Sequence, residues 1–362
     1  MFKKLTAILS NKINKIHIPR LDFELTSSCD HKCAYCYNVW NPTSSQAKTD
    51  YPRGQLPTEQ YLNMMAKAIR ETGASHIAIT GGEPLLHRDA LSIIRTACQL
   101  VGSVQLVTNG SHLSPIVIQT LADCRLRSVQ LTLLSHQADK HNRLKGHTCF
   151  DDVLQAIVSL QKFKISVQVC FVATAQNWGD FASVIELCFA LGVKAITYNR
   201  MSPAGWAIEQ IAELMPSVAQ VEHNLATAER LGRRWDIRIS TAMPIPPCLI
   251  RIERYPWVRF GFCSVGTHSP NITIDPLGYV RSCNLSSHIM GNIIEQSWSE
   301  IWRNPYVRQF KRVIPKLCKG CYYAQNCQGG CKESAYATYR DLAHTEPFVH
   351  TNIMHRAKFH DS

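Results

Sequence analysis

With 362 residues, 45% of them apolar, the chain is long enough for two or more domains with real cores. No apolar run is long enough to span a membrane. LTAIL, in the N-terminal stretch MFKKLTAILSNKINKIHIPR, is too brief for a secretory signal, so the chain is expected in the cytoplasm. Fifteen cysteines, an odd number, do not make a disulfide framework there and need another use. The formal charge of +12 favours acidic partners: nucleic acid, anionic lipid or an acidic peptide. The lysines and arginines are scattered, however, and a solvated basic surface explains them equally well. In the basic extension, residues 1–20, Phe2, Leu5, Leu9, Ile13 and Ile16 recur near helical spacing. Packing on the chain's own domain is expected for them rather than a membrane surface.

From residue 21 onward, short β-branched runs alternate with longer helical patterns. Strands are expected at 23–26 (FELT), 76–80 (HIAIT), 104–108 (VQLVT), 129–134 (VQLTLL), 167–172 (VQVCFV) and 195–199 (AITYN). Helices are expected at about 58–71, 89–101, 114–122, 150–163, 180–191 and 216–231. Six such βα units predict an α/β fold, a partial (β/α)6 parallel barrel with its chemistry at the C-terminal strand ends. Three unusual loops follow the first three strands: a cysteine triplet, TGGEP (80–84) and TNG (108–110). A long polar loop, 41–57, is either a cover for a peptide or an ordinary excursion.

The triplet, Cys29, Cys33 and Cys36 in CxxxCxxC spacing, supplies three corners of a metal site. A structural zinc wants a fourth protein ligand, for which His31 is awkwardly close in the same loop. A four-iron cluster on three thiolates leaves one iron open to a small molecule. In the second loop, Gly81 and Gly82 permit close backbone approach, Glu83 offers a carboxylate to an ammonium, and Pro84 stiffens the exit.

On these residues, the stretch from 21 to about 200 resembles the core of the radical S-adenosylmethionine enzymes. The resemblance implies a [4Fe–4S] cluster on the three cysteines, its fourth iron chelated by S-adenosylmethionine. It further places Tyr35 near the adenine, the GGEP segment on the methionine amino group, Ser135 on the ribose and Arg200 on the methionine carboxylate. A reduced cluster of this kind cleaves S-adenosylmethionine to a 5′-deoxyadenosyl radical, which takes hydrogen from an unactivated carbon.

Cysteines gather again in the C-terminal third. Cys263 is followed by Gly278 and Cys283, and CKGCYYAQNCQGGC then places Cys318, Cys321, Cys327 and Cys331 in Cx2Cx5Cx3C spacing. NITIDPLGYVRSC predicts a β-hairpin turning at Asp275 to Gly278, and GNIIEQSWSEIWR a short amphipathic helix. This arrangement resembles the SPASM domain, a small cysteine-rich α+β unit with up to two auxiliary iron–sulfur clusters; a zinc ribbon is the structural alternative. The implied divisions are a core at 21–232, a bridging region at 233–262, the auxiliary domain at 263–341 and a tail at 342–362. By the same resemblance, Cys263, Cys283 and Cys331 hold the first auxiliary cluster, with Cys248 a candidate to complete it. Cys318, Cys321 and Cys327 hold the second. No cysteine follows Cys331 to complete that set, so His344, His350 or an open site remain, with His350 the chosen candidate. The cysteines at 98, 124, 149, 170 and 188 sit in apolar settings and are expected in the core, although Cys149 or Cys248 would serve as a hydrogen donor in an epimerase.

Domains of this type most often modify ribosomally made peptides, so the resemblance implies a maturase forming thioether, carbon–carbon or ether crosslinks. The implied partners are a precursor peptide, a separate leader-binding protein, and a flavodoxin- or ferredoxin-type electron donor. Dehydrogenation of a small alcohol and formylglycine formation in a sulfatase are the family's other habits. A different class of protein, binding nucleic acid or sensing redox state with structural metal only, would use YPWVRFGF (255–262) to stack on bases. That reading leaves GGEP unexplained, and neither nucleic acid nor membrane is expected as a partner.

Overall fold

In the computed structural model, residues 18–40, 51–267 and 269–358 are described. The amphipathic N-terminal pattern and the first part of the polar loop lie outside them. Six strands pair in parallel and in chain order: β1 (Arg20–Glu24), β2 (His76–Thr80), β3 (Val104–Thr108), β4 (Ser128–Thr132), β5 (Ser166–Ala173) and β6 (Ala195–Arg200). Between them lie helices Thr58–Thr72, Ala90–Leu100, Pro115–Asp123, Phe150–Lys162 and Phe181–Ala190. A sixth, Val218–Trp235, follows β6. Each turns an apolar stripe inward; in the first, Tyr61, Met64, Met65 and Ala68 are buried at the i, i+3, i+4, i+7 spacing that one helix face requires. An unexpected helix, Ala138–Lys145, interrupts the connection after β4.

The strands alternate a helix-facing apolar row with a polar row facing the barrel interior, as a period of two demands. In β3, Val104 and Leu106 are buried while Gln105 turns inward to accept from Arg20 (3.4 Å) and donate to Gln168 (2.9 Å). Gln168 in turn donates to Thr197 (2.7 Å), so a polar ladder crosses the barrel floor.

The sheet is larger than six strands. The bridging region supplies β7 (Arg238–Ser240) and β8 (Val258–Arg259) beyond β6. On the other side, β9 (Asn271–Ile274) pairs in parallel with β1. β10 (Tyr279–Arg281) and β11 (Ile289–Asn292) continue antiparallel, giving eleven strands in one open sheet. The expected hairpin is present: the Asp275 carboxylate accepts from the backbone of Leu277 and Tyr279, and Gly278 takes φ 86°. Two expectations shift. β1 starts at Arg20 rather than residue 23, because Arg20 to Glu24 pair in register with His76 to Thr80 before the chain lifts toward the cysteine loop. The 291–303 helix shrinks to Trp298–Ile301, because Ser297 and Glu300 form a capping box there and residues 289–292 pair with β10.

The auxiliary hairpin is fastened through its interior. Fully buried Arg281 on β10 pairs with Glu24 on β1 and lies over the rings of Trp40 (5.5 Å) and Tyr51 (5.1 Å). Tyr51 donates to Asp275 (3.0 Å), and Leu56 N–H donates to Pro276 O (3.0 Å), so the described end of the polar loop docks on the hairpin. Among the described residues, no helix is long and apolar enough to cross a membrane.

Candidate active site

The cysteine loop leaves the C-terminal end of β1 and is held by backbone contacts and by side chains of the TNG loop, where Asn109 Nδ2 donates to Asp30 (2.8 Å) and His112 Nε2 lies 2.8 Å from the same carboxylate. Gly82 and Glu83 donate to Thr26 O and Ser28 O (both 2.8 Å), laying the second loop against the run-in to Cys29. A side chain at Gly82 would put its Cβ 2.1 Å from Ser28 O, and Gly81, at φ 135°, would meet Thr26 O at 2.6 Å. The glycine pair therefore exists for close approach, as the sequence implies. Farther along, Ala34 donates to Leu144 O (3.0 Å) and Cys36 O accepts from Ala207 N–H (3.0 Å). Cys29 is exposed, and Cys33 and Cys36 are half-buried.

Three thiols gathered on one loop suit a cluster. Among the described residues, no three cysteine sulfurs lie within 4.8 Å of one another. A single zinc, with bonds of about 2.3 Å to sulfur, would draw them closer. His31 has its Nε2 on Ser111 Oγ (3.1 Å) and its ring stacked on His147 at 4.3 Å, and its ligand atoms gather with those of Asp30 and His147 rather than with the thiols. Burial and then nearby Lys145 push the His31 imidazole down to about 3, so it is neutral. Burial likewise pushes the Cys29 thiol up to about 12 in the metal-free loop. Metal binding must therefore expel protons from these thiols.

Several expected S-adenosylmethionine contacts have other partners. Glu83 is fully buried, and its carboxylate accepts from Thr108 Oγ1 (2.7 Å), Asn109 N (2.7 Å) and Leu85 N (3.1 Å). It ties the second loop to TNG; burial raises its pKa against those hydrogen bonds. Pro84 opens the one-turn helix that follows. Ser135, expected on the ribose, is fully buried, and its Oγ accepts from Gln137 N–H (3.0 Å), which closes the turn. Arg200, expected on the methionine carboxylate, lines the central cavity; it is 1% exposed, with Nη2 2.7 Å from both oxygens of Glu346, Nε on Pro244 O (3.0 Å) and its plane over Phe348 at 4.5 Å. Tyr35, partly buried against the core, is hydrogen-bonded to Cys33 and lines the central cavity.

That cavity, about 450 Å³, lies between the two halves. Tyr35, Tyr37 and Arg200 line it from the barrel, and Cys263, Cys283 and Cys331 from the auxiliary side. Burial, then Glu333, then Cys331 and Cys263 push the Cys283 thiol up, so these three sulfurs, the set implied by the resemblance, lie near one another. Glu333 and Lys332, missed from the sequence, stand beside them. Glu333 accepts from Ser282 and Tyr306 (both 2.8 Å), and Lys332 donates to Phe310 O (2.5 Å). Neither carried any signal beyond following Cys331. Cys318, Cys321 and Cys327 form a second group, on the turns and one-turn helix of 316–327.

Two other expected groups have the following surroundings. His344 and His350 pack on Tyr339 (3.8 and 5.8 Å) and on each other (5.3 Å), and His344 Nδ1 bonds Thr345 O (2.7 Å). They form an aromatic cluster of their own. Of the 255–262 aromatics, Tyr255 is buried and Trp257 donates to Ile237 O (2.9 Å), while Phe262 is exposed, so they do not form one continuous stacking face. Cys149, Cys170 and Cys188 are buried as expected, with Cys98 and Cys124 half-buried.

A parallel barrel with a glycine-backed three-cysteine loop at its mouth, facing a second cysteine-rich unit across one cavity, defines a radical S-adenosylmethionine enzyme with an auxiliary SPASM domain. The chain belongs to that class: the Radical SAM superfamily matches residues 23–188, and the SPASM iron–sulfur cluster-binding domain matches 263–322. Among curated relatives, the PqqA peptide cyclase of Rhizobium meliloti is 28% identical over 333 residues, 90% of this chain and 84% of the relative. That of Methylobacterium nodulans is 25% identical over 348 residues, 92% and 86% of the two chains. In fold, the chain is similar to Streptococcus suis SuiB bound to its precursor peptide SuiA, with TM-score 0.71, 14% identity, and coverage of 91% of this chain and 75% of that one. It is equally similar to anSMEcpe with bound AdoMet, with TM-score 0.70, 16% identity and coverage of 92% and 95%. When bound, the [4Fe–4S] cluster and S-adenosylmethionine supply a carbon radical that abstracts hydrogen; the auxiliary domain adds further iron–sulfur chemistry.

Proposed function

We propose that this enzyme matures a ribosomally made peptide by oxidative crosslinking, forming a thioether, carbon–carbon or ether bond. One observation carries the reading: a single cavity is lined at one end by Tyr35, beside Cys33 and Cys36, and at the other by Cys263, Cys283 and Cys331. A peptide side chain held there stands between the hydrogen-abstracting group and a second redox group, the arrangement a net oxidation needs. The curated relatives, named as cyclases of the peptide PqqA, support the substrate class, since the match spans most of both chains. Within the cavity the chain's own residues bind and orient. The polar row of Gln105, Gln130 and Gln168 offers amide donors and acceptors to a peptide backbone, and Tyr35 and Tyr37 supply apolar walls that exclude water. In this reading the enzyme works in the cytoplasm, draws electrons from a flavodoxin- or ferredoxin-type donor, and receives its peptide with help from a separate leader-binding protein.

Each crosslink removes two hydrogen atoms. The reduced full chain, given S-adenosylmethionine and its precursor peptide, should yield a peptide lighter by two hydrogen masses, with a new linkage visible by tandem mass spectrometry. Unchanged peptide mass, alongside formation of 5′-deoxyadenosine, would overturn the peptide assignment.

A further inference from the structure

The second auxiliary group has three cysteines on one short stretch and no cysteine downstream to complete it. The downstream histidines are engaged with Tyr339 and with each other. The segment 244–250 runs beside the same group. Every residue in it is buried except Cys248, which alone is exposed. Leu249 and Ile250 both donate to Pro246 O (3.0 and 3.2 Å), a tight turn that presents Cys248 outward.

Two contacts fix this turn against the cysteine stretch. On one side Tyr323, between Cys321 and Cys327, donates to Glu253 (2.9 Å). On the other, Pro244 O accepts from Arg200, which clamps Glu346, and Glu346 packs so closely on Gly330 that a Cβ there would lie 2.2 Å from its oxygen. The thiol of Cys248 lies close enough to Cys318, Cys321 and Cys327 to interact with each of them.

We propose that Cys248 is the fourth thiolate of the second auxiliary site, with Cys318, Cys321 and Cys327, and is not a ligand of the first. This corrects the sequence expectation and rests on the reading of the C-terminal domain as an iron–sulfur carrier. A ligand from the bridging region closes the second cluster from the barrel side, and the first set is left with three thiolates facing the cavity.

The test uses the anaerobically reconstituted full chain carrying Cys29/Cys33/Cys36→Ala, so that only auxiliary iron remains. Iron content, Mössbauer and EPR spectra and midpoint potentials are read, with circular dichroism as a check on folding. Adding Cys248→Ala should remove about four irons or shift one cluster's spectrum and potential, and Cys248→Ser should restore iron with an altered spectrum. The same change should persist in a Cys263/Cys283→Ala background and vanish in a Cys318/Cys321→Ala background. The reverse dependence would return Cys248 to the first site, and unchanged spectra would exclude it from both. If the parent protein binds zinc and no iron, the iron–sulfur reading itself fails, a distinct result.

Discussion

The two halves of this enzyme build their cysteine sites in opposite ways. In the barrel, all three thiols come from eight consecutive residues, held by close backbone contacts, with glycines that let one loop lie on another and carbonyls of Thr26 and Ser28 that hold them together, and by the neighbouring loop's Asn109 and His112 on Asp30. In the auxiliary half, the cavity-facing thiols come from positions 263, 283 and 331, and side chains assemble them: Arg281 on Glu24, Arg200 on Glu346, Glu333 on Tyr306. A site made by a loop is robust to remote change and sensitive to one Cβ. A site made by the fold tolerates local change and fails when a distant ion pair is cut.

The sharpest way to break the comparison is Gly82→Ala. The new Cβ collides with Ser28 backbone, so the loop must move. The variant should lose about four irons and its 5′-deoxyadenosine production while the auxiliary spectra stay unchanged; loss of auxiliary iron as well would erase the distinction. Glu346→Ala tests the other half. Arg200 would be left buried and unpaired, at a cost of about 3–5 kcal/mol in urea unfolding, with the auxiliary signals disturbed before those of the barrel loop.

His141 sharpens the same contrast through pH. It is fully buried under the barrel mouth, accepts from Leu134 N–H at Nδ1 (3.2 Å), and is pushed down to about 3 by burial and then by Lys145. Its folded pKa lies below the ordinary value of 6.5, so the unfolded chain binds the extra proton first. The stability it contributes is complete above pH 6.5 and falls as pH drops toward 3, by about 2 kcal/mol between pH 6.5 and 5. His141→Gln should flatten that limb in denaturation measured across pH. The smallest effect is expected at Ser135→Ala: about 1 kcal/mol for the lost turn hydrogen bond, with S-adenosylmethionine affinity within twofold by calorimetry. A tenfold weaker affinity would restore the ribose contact to Ser135.

Much of the barrel half was legible because its signals are local. Strand runs, helix stripes, the CxxxCxxC spacing and GGEP all lie within windows shorter than one βα unit. What stayed hidden depends on long-range contacts. Glu83 reads as a free carboxylate until TNG folds onto it, and Arg200 as a ligand cation until Glu346, 146 residues away, meets it. Cys248 shows no spacing to its neighbours at 318–327, because the turn after buried Pro246 and Pro247, not a motif, aims it. The sheet extension by β7 and β8 was equally silent, since strands of two or three residues carry too little periodicity to register, and nothing local in the expected hairpin told that β9 pairs with β1.

The account stands most directly on one assay. The reconstituted full chain, reduced with dithionite under anaerobic conditions and given S-adenosylmethionine, should release 5′-deoxyadenosine and methionine, and Cys29/Cys33/Cys36→Ala should fall to background. A wild-type chain that holds its barrel cluster and yet releases no 5′-deoxyadenosine, with or without peptide, would contradict it.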